Sequence, residues 1–136
     1  MRILAVDFGT KNIGLAISDP TGTIANSLST ITHRSYREDA ASILGIAEMK
    51  QVNQILVGQS FDEAGKPTYT GRMSLRLASA IKSETKIPIL LWDESFSTQD
   101  ARKARILMRT SRAKRTGHLD SQAAVVLLQS YLDRNE

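Results

Sequence analysis

The carboxylates with the best claim to chemistry stand where apolar runs stop. Ile3-Leu-Ala-Val6 runs into Asp7 and Gly9, Pro88-Ile-Leu-Leu-Trp92 runs into Asp93-Glu94, and Asp120 opens the last apolar stretch of the chain. Nothing about packing asks for an acid at the end of a buried strand. Carboxylates drawn into one site repel unless they are protonated, paired or bridged by cations. Hard oxygen donors in a chain without cysteine suit Mg2+ or Mn2+ better than zinc. A pair of such ions about 4 Å apart can activate a water and stabilise the leaving oxygen of a phosphodiester.

Each acid also has a plainer reading. Asp7 could cap its own turn, as Asp readily does. Asp120 could be a helix N-cap or a first-turn acid stabilised by the helix dipole. Asp93 and Glu94 alternate across a strand, so only one of them faces Asp7; Glu94 is the expected partner, and Asp93 either supports the site from behind it or forms the turn. His118, a lone histidine in a polar loop, reads more simply as solvated than as a proton donor. Thr10, Lys11 and Ser60 sit in the neighbouring turns as candidate phosphate contacts. Trp92 ends an apolar strand and reads as core.

Charge supplies the complement. The net charge is +4, yet seven basic residues and no acid lie between Ala101 and Leu119: Arg102, Lys103, Arg105, Arg109, Arg112, Lys114 and Arg115. The rest of the chain sums to −3, so one segment carries the whole positive excess. A solvated helix face could do this, but such clustering is what a polyanion-binding surface needs. Together with Lys11, these residues are the expected nucleic-acid contacts.

The elements must bring these groups together. Ile3–Val6, Ile13–Ser18 and Thr23–Ile31 read as strands joined by an Asp-Phe-Gly-Thr turn and by Asp19-Pro-Thr-Gly22, which makes an antiparallel meander. Ser35-Tyr-Arg-Glu38 has capping-box spacing and opens a helix ending near Gln51. Gln54–Gly58 is a buried strand leading into a polar loop, and a helix from about Thr70 to Glu84 follows. Pro88–Trp92 is a fifth strand. Ser97-Thr-Gln-Asp100 caps the basic helix, a basic loop runs from Thr110 to Gly117, and the last helix is apolar on most sides.

Three meandering strands followed by two strand–helix units imply an α/β fold: a mixed five-stranded sheet with helices on both faces. Right-handed crossovers make the first strand a parallel neighbour of the fourth. Asp7, the Gly58 loop and Asp93-Glu94 should then share one sheet edge, with Asp120 able to reach it.

At 136 residues the chain is long enough for one domain, 1–136, with a real core. No apolar run nears the ~20 residues needed to span a bilayer, and Asp7 interrupts what could have been a signal-peptide core. The expectation is a cytoplasmic protein with no membrane partner.

In this order and spacing, Ile3-Leu-Ala-Val-Asp7-Phe-Gly-Thr-Lys-Asn-Ile-Gly14 through Ser18-Asp-Pro20, Ile55-Leu-Val-Gly58, Asp93-Glu94 with Ser97-Thr98, and Asp120 with Ala123-Ala124 and Gln129-Ser-Tyr-Leu132 resemble the YqgF, or RuvX, family of the ribonuclease H-like superfamily. The resemblance covers essentially the whole chain. It implies a ribonuclease H-like sheet and a metal-dependent nuclease that processes the 5′ end of pre-16S ribosomal RNA or, alternatively, resolves Holliday junctions. It carries the catalytic and metal-binding acids over to Asp7, Glu94 and Asp120, with two Mg2+ or Mn2+ ions. Two departures stand out: Gly58-Gln-Ser60 replaces the family's Gly-Leu-Pro-like segment, and Ser95 replaces the Arg that commonly follows Asp-Glu.

The expected partners are structured RNA, including the small-subunit ribosomal precursor, or branched DNA; a resolvase would also need a homodimer. Two other classes compete. A non-catalytic nucleic-acid-binding or ribosome-assembly factor would use the basic segment and leave the acids structural. Asp7-Phe-Gly-Thr10 before a hairpin also resembles the phosphate-binding turn of actin-like and sugar-kinase ATPases. Those close two such domains over ATP, and 136 residues hold only one.

Overall fold

The computed structural model describes residues 1–95 and 119–134, the side chains of Leu119 and Asp120 excepted. Strands β1 (Ile3–Phe8), β2 (Asn12–Ser18) and β3 (Ala25–Thr32) precede helix α1 (Tyr36–Met49). Strand β4 (Gln54–Gln59), helix α2 (Tyr69–Lys82), strand β5 (Ile89–Asp93) and helix α3 (Leu119–Arg134) complete the described chain. The five strands form one sheet in the order β3-β2-β1-β4-β5. The meander is antiparallel, and β4 pairs in parallel with both β1 and β5, as the crossover argument requires.

The first strand runs further than its apolar run suggests. Asp7 pairs with Gly14 and Phe8 with Ile13, so the acid lies within the ladder rather than beyond it. The cause is the tightness of the turn: a Cβ on Gly9 would stand 2.6 Å from the Asn12 carbonyl oxygen. Only glycine fits so close an approach, and both strands therefore stay paired up to it. The third strand starts later than expected. Asp19 Oδ1 accepts the backbone N–H groups of Thr23 and Ile24 at 2.8 and 3.0 Å, and its Oδ2 accepts the Thr21 hydroxyl at 2.6 Å. That turn holds the chain through Ile24.

Ser35 caps α1 as its spacing predicts, its Oγ accepting the Glu38 N–H at 3.1 Å. Thr68 does the same for α2 by taking the Gly71 N–H at 3.1 Å, which starts that helix at Tyr69. The segment from 96 to 118, with the expected cap at Ser97 and the basic helix and loop, lies outside the described residues.

Alternation sorts the sheet into two faces. Leu4, Val6, Phe8, Ile55 and Val57 point to the face covered by α1 and α2, where they meet Ile43, Leu77 and Ile81. Ile3, Ala5, Ala16 and Leu56 point to the other face and meet Ala124, Leu127, Leu128 and Leu132 of α3. Gly14 and Gly58 share the parity of this second set, so with Ala5 and Ala16 they give the face beneath α3 a strip of small residues on which the helix can lie close. Among the described residues, no helix is long and apolar enough to cross a membrane.

Candidate active site at the carboxyl edge of the sheet

Asp7 shares the parity of Ile3 and Ala5, which places it on the face that α3 covers. It is half-buried, one residue from the end of β1. The parallel register sets Val6 beside Val57, so Gly58 is the residue next to Asp7 on the adjoining strand, roughly one strand spacing of about 4.8 Å away.

Glu94 comes in from the other side. It follows β5 directly, and its backbone N–H donates to the Gln59 carbonyl at 2.8 Å, which extends the parallel ladder by one step. By alternation it points with Trp92 to the α3 face, whereas Asp93 points away and accepts the Ser95 N–H at 2.8 Å in a turn. The Glu94 side chain crosses above β4: a Cβ on Gly58 would meet its Oε1 at 2.9 Å and its Cγ at 3.2 Å. The same Cβ would meet Leu127 Cδ2 of α3 at 2.8 Å. Gly58 thus clears the ground on which Glu94 lies and on which α3 packs. Its place in the sequence marks it only as the end of a strand.

Trp92 anchors the strand that delivers Glu94. Its indole Nε1 donates to Ser130 Oγ at 3.1 Å, and its ring meets Tyr131 edge-on with centroids 5.0 Å apart. At the other end of α3, Ser121 Oγ and Ser27 Oγ share a hydrogen bond of 2.9 Å that fixes the first turn of the helix on β3. Asp120 belongs to that turn; its side chain, like Arg102, Lys103, Arg105, Arg109, Arg112, Lys114, Arg115 and His118, lies outside the described set. Lys11 is exposed in the β1–β2 turn at the same sheet edge.

Among the described residues no group of three His, Cys, Asp or Glu side chains is arranged to hold a metal ion. Two carboxylates do converge here, on one face and across a single strand. Their donor set is all oxygen, and the missing Cβ at Gly58 provides the cradle that the Glu94 carboxylate fills. This fits a hard divalent cation with one or more further ligands.

A second acid arrangement is not visible in the residue pattern. Asp39, in the first turn of α1, is 1% exposed, and its carboxylate pairs with His33 Nδ1 and accepts the Arg34 N–H at 3.0 Å. The spacing of His33 and Asp39 is the one available signal, and it is weak, because first-turn acids are ordinarily solvated.

Comparison with solved structures defines the class. The chain superposes on Thermus thermophilus RuvC in complex with Holliday junction substrate with a TM-score of 0.66, at 15% identity and over 99% of this chain and 96% of that one. The large terminase nuclease of the thermophilic phage G20c superposes with a TM-score of 0.63, at 12% identity and over 96% and 81% of the two chains. At such identities the likeness speaks for the fold, and the fold is ribonuclease H-like.

Sequence comparison then gives the family. The model of RuvX, described as Holliday junction resolvase, matches residues 1–134. A protein of Thermoanaerobacter pseudethanolicus is 41% identical over 98% of this chain and 96% of its own length, and one of Geobacillus sp. is 37% identical over the full length of both; each bears the name "Putative pre-16S rRNA nuclease". The chain belongs to the RuvX family of nucleases.

Proposed function

We propose that this nuclease is a metal-dependent endonuclease of the cytoplasm that hydrolyses phosphodiester bonds at the 5′ end of pre-16S ribosomal RNA, with Asp7, Glu94 and Asp120 as its catalytic acids. The observation that carries the reading is the convergence of Asp7 and Glu94 on one face across Gly58. The choice of rRNA follows the names of relatives at 34–41% identity.

Asp7, on a central strand paired on both sides, would hold Mg2+ or Mn2+ at the heart of the site. Glu94 and Asp120 would complete the ligand set. Bound there, the ions would activate water and stabilise the leaving oxygen. The chain's own work is to hold three carboxylates aimed before substrate arrives, which removes reorganisation from the reacting step. Lys11 and the basic residues from Arg102 to Arg115 take up the phosphate backbone on either side of the scissile bond, fixing its register without reading bases.

The family's description favours a second reading, a resolvase acting on branched DNA as a homodimer. Product mapping separates the two. A precursor rRNA fragment and a four-way DNA junction are each incubated with the protein under Mg2+ and Mn2+. Defined cleavage near the mature 5′ end of the rRNA supports the first reading, and paired symmetric nicks in the junction alone support the second. Cleavage of neither with either metal rejects both.

A further inference from the structure

We propose that Lys11, Arg34 and Arg37 form a second phosphate-backbone track at the catalytic edge, on the side of β3 and α1, with the partly buried His33–Asp39 pair as its anchor. The proposal rests on the nuclease reading and adds a binding surface that the segment from 101 to 119 does not contain.

Topology puts the three cations together. Strand β3 is antiparallel to β2 and β2 to β1, so β3 ends at the same sheet edge as β1. Lys11 lies in the turn after Asp7, Arg34 follows β3 by two residues, and Arg37 is in the first turn of α1. The His33 N–H donates to the Lys11 carbonyl at 2.8 Å, which ties the two connections to one another. All three cationic side chains are exposed, and among the described residues none forms a salt bridge. Glu38 is the exposed carboxylate of this corner; Asp39 is buried against His33.

Local stability does not explain these residues. A cation in the first turn of a helix opposes the helix dipole, and Arg37 occupies that position with Arg34 just ahead of the Ser35 cap. Placing positive charge where the helix disfavours it is the kind of local conflict that function accounts for.

The anchor is unusual for so exposed a corner. One buried carboxylate holds the Arg34 backbone through Oδ1 and the His33 ring through Oδ2, and the His33 backbone holds Lys11. The ring also meets Phe8, the neighbour of Asp7, edge-on at 5.0 Å. Asp39 therefore fixes two backbone positions from which cations project, and it does so beside the residue that follows the central acid. The track and the acidic site are held in one frame. Flexible lysines on a loose loop would bind phosphate with a larger loss of conformational entropy.

The test measures affinity against salt concentration for a four-way DNA junction and for a short RNA duplex. Three proteins are compared: wild type, K11Q/R34Q/R37Q, and R102Q/K103Q/R105Q, with circular dichroism confirming that each is folded. The track predicts that K11Q/R34Q/R37Q lowers the logarithmic salt slope by about 2 to 3 on the junction, about 0.9 for each phosphate that is no longer neutralised. On the RNA duplex the slope should fall in the same direction. A wild-type slope in K11Q/R34Q/R37Q, beside a reduced slope in R102Q/K103Q/R105Q, overturns the track and leaves the nuclease reading intact. A wild-type protein that binds neither probe overturns the nuclease reading and the track with it.

Discussion

Glu94 reaches its place in the site by lying over Gly58, its Oε1 2.9 Å from where a Cβ on that glycine would stand. Leu127 takes the other side of the same space at 2.8 Å. The Gly58→Ala variant should therefore displace the Glu94 carboxylate and lift α3. A displacement near 1 Å at a catalytic group costs about 100-fold in rate, and overpacking a tight contact costs about 1 to 3 kcal/mol. Cleavage kinetics and urea denaturation measure the two effects. Adding Leu127→Ala should relieve the contact with α3 while leaving the rate low, because the clash with Glu94 remains.

The His33–Asp39 pair makes a prediction about stability. The Asp39 side chain is 2% exposed and that of His33 17%. His33→Ala would leave a buried carboxylate with the Arg34 N–H as its remaining partner among the described residues. Stranding a buried charge in this way costs about 3 kcal/mol. His33→Gln, which can still donate a hydrogen bond, should lose less. Equal midpoints in urea for wild type and His33→Ala would show that the pair contributes nothing.

Asp19 predicts a pH effect at the far edge of the sheet. Hydrogen bonds from the Thr21 hydroxyl and from the Ile24 and Thr23 N–H groups lower its carboxyl from 3.8 to about 2. Because the folded value lies below the unfolded one, its contribution to stability is present in full above pH 3.8 and is lost as pH falls through about 2. An NMR titration should find the Asp19 carboxyl still ionised at pH 3, and Asp19→Asn should flatten the acid limb of the stability profile. A midpoint near 3.8 would contradict the turn geometry.

These residues also mark how far the sequence could be read. Apolar runs, the Ser35 capping box and the crossover rule led to the observed strand order; alternation allowed only one of Asp93 and Glu94 on the face of Asp7, and the family resemblance pointed to Glu94. Those are local signals, each carried by a few adjacent residues. Gly58 was opaque because its role depends on two side chains, Glu94 and Leu127, that are remote in sequence and meet only in the folded chain. Asp39 was opaque for a related reason: an acid in a first helical turn looks solvated until His33 is seen to close over it. The pairing of Asp7 inside the ladder follows from the Gly9 contact with the Asn12 carbonyl, a backbone distance that no residue pattern encodes. Asp120 and the basic residues from Arg102 to Arg115 keep the roles their types and spacing suggest, as proposals.

Asp7→Asn tests the central claim most directly. The substitution keeps the shape and the strand pairing but removes the charge that would hold divalent ions. Binding of a precursor rRNA fragment and its cleavage under Mn2+ are measured on the same preparation. Binding should stay within about twofold of wild type while cleavage falls by about 100- to 1,000-fold, the scale lost with a main electrostatic group of an active site. Cleavage by Asp7→Asn at the wild-type rate would contradict the assignment of Asp7 as the central metal ligand.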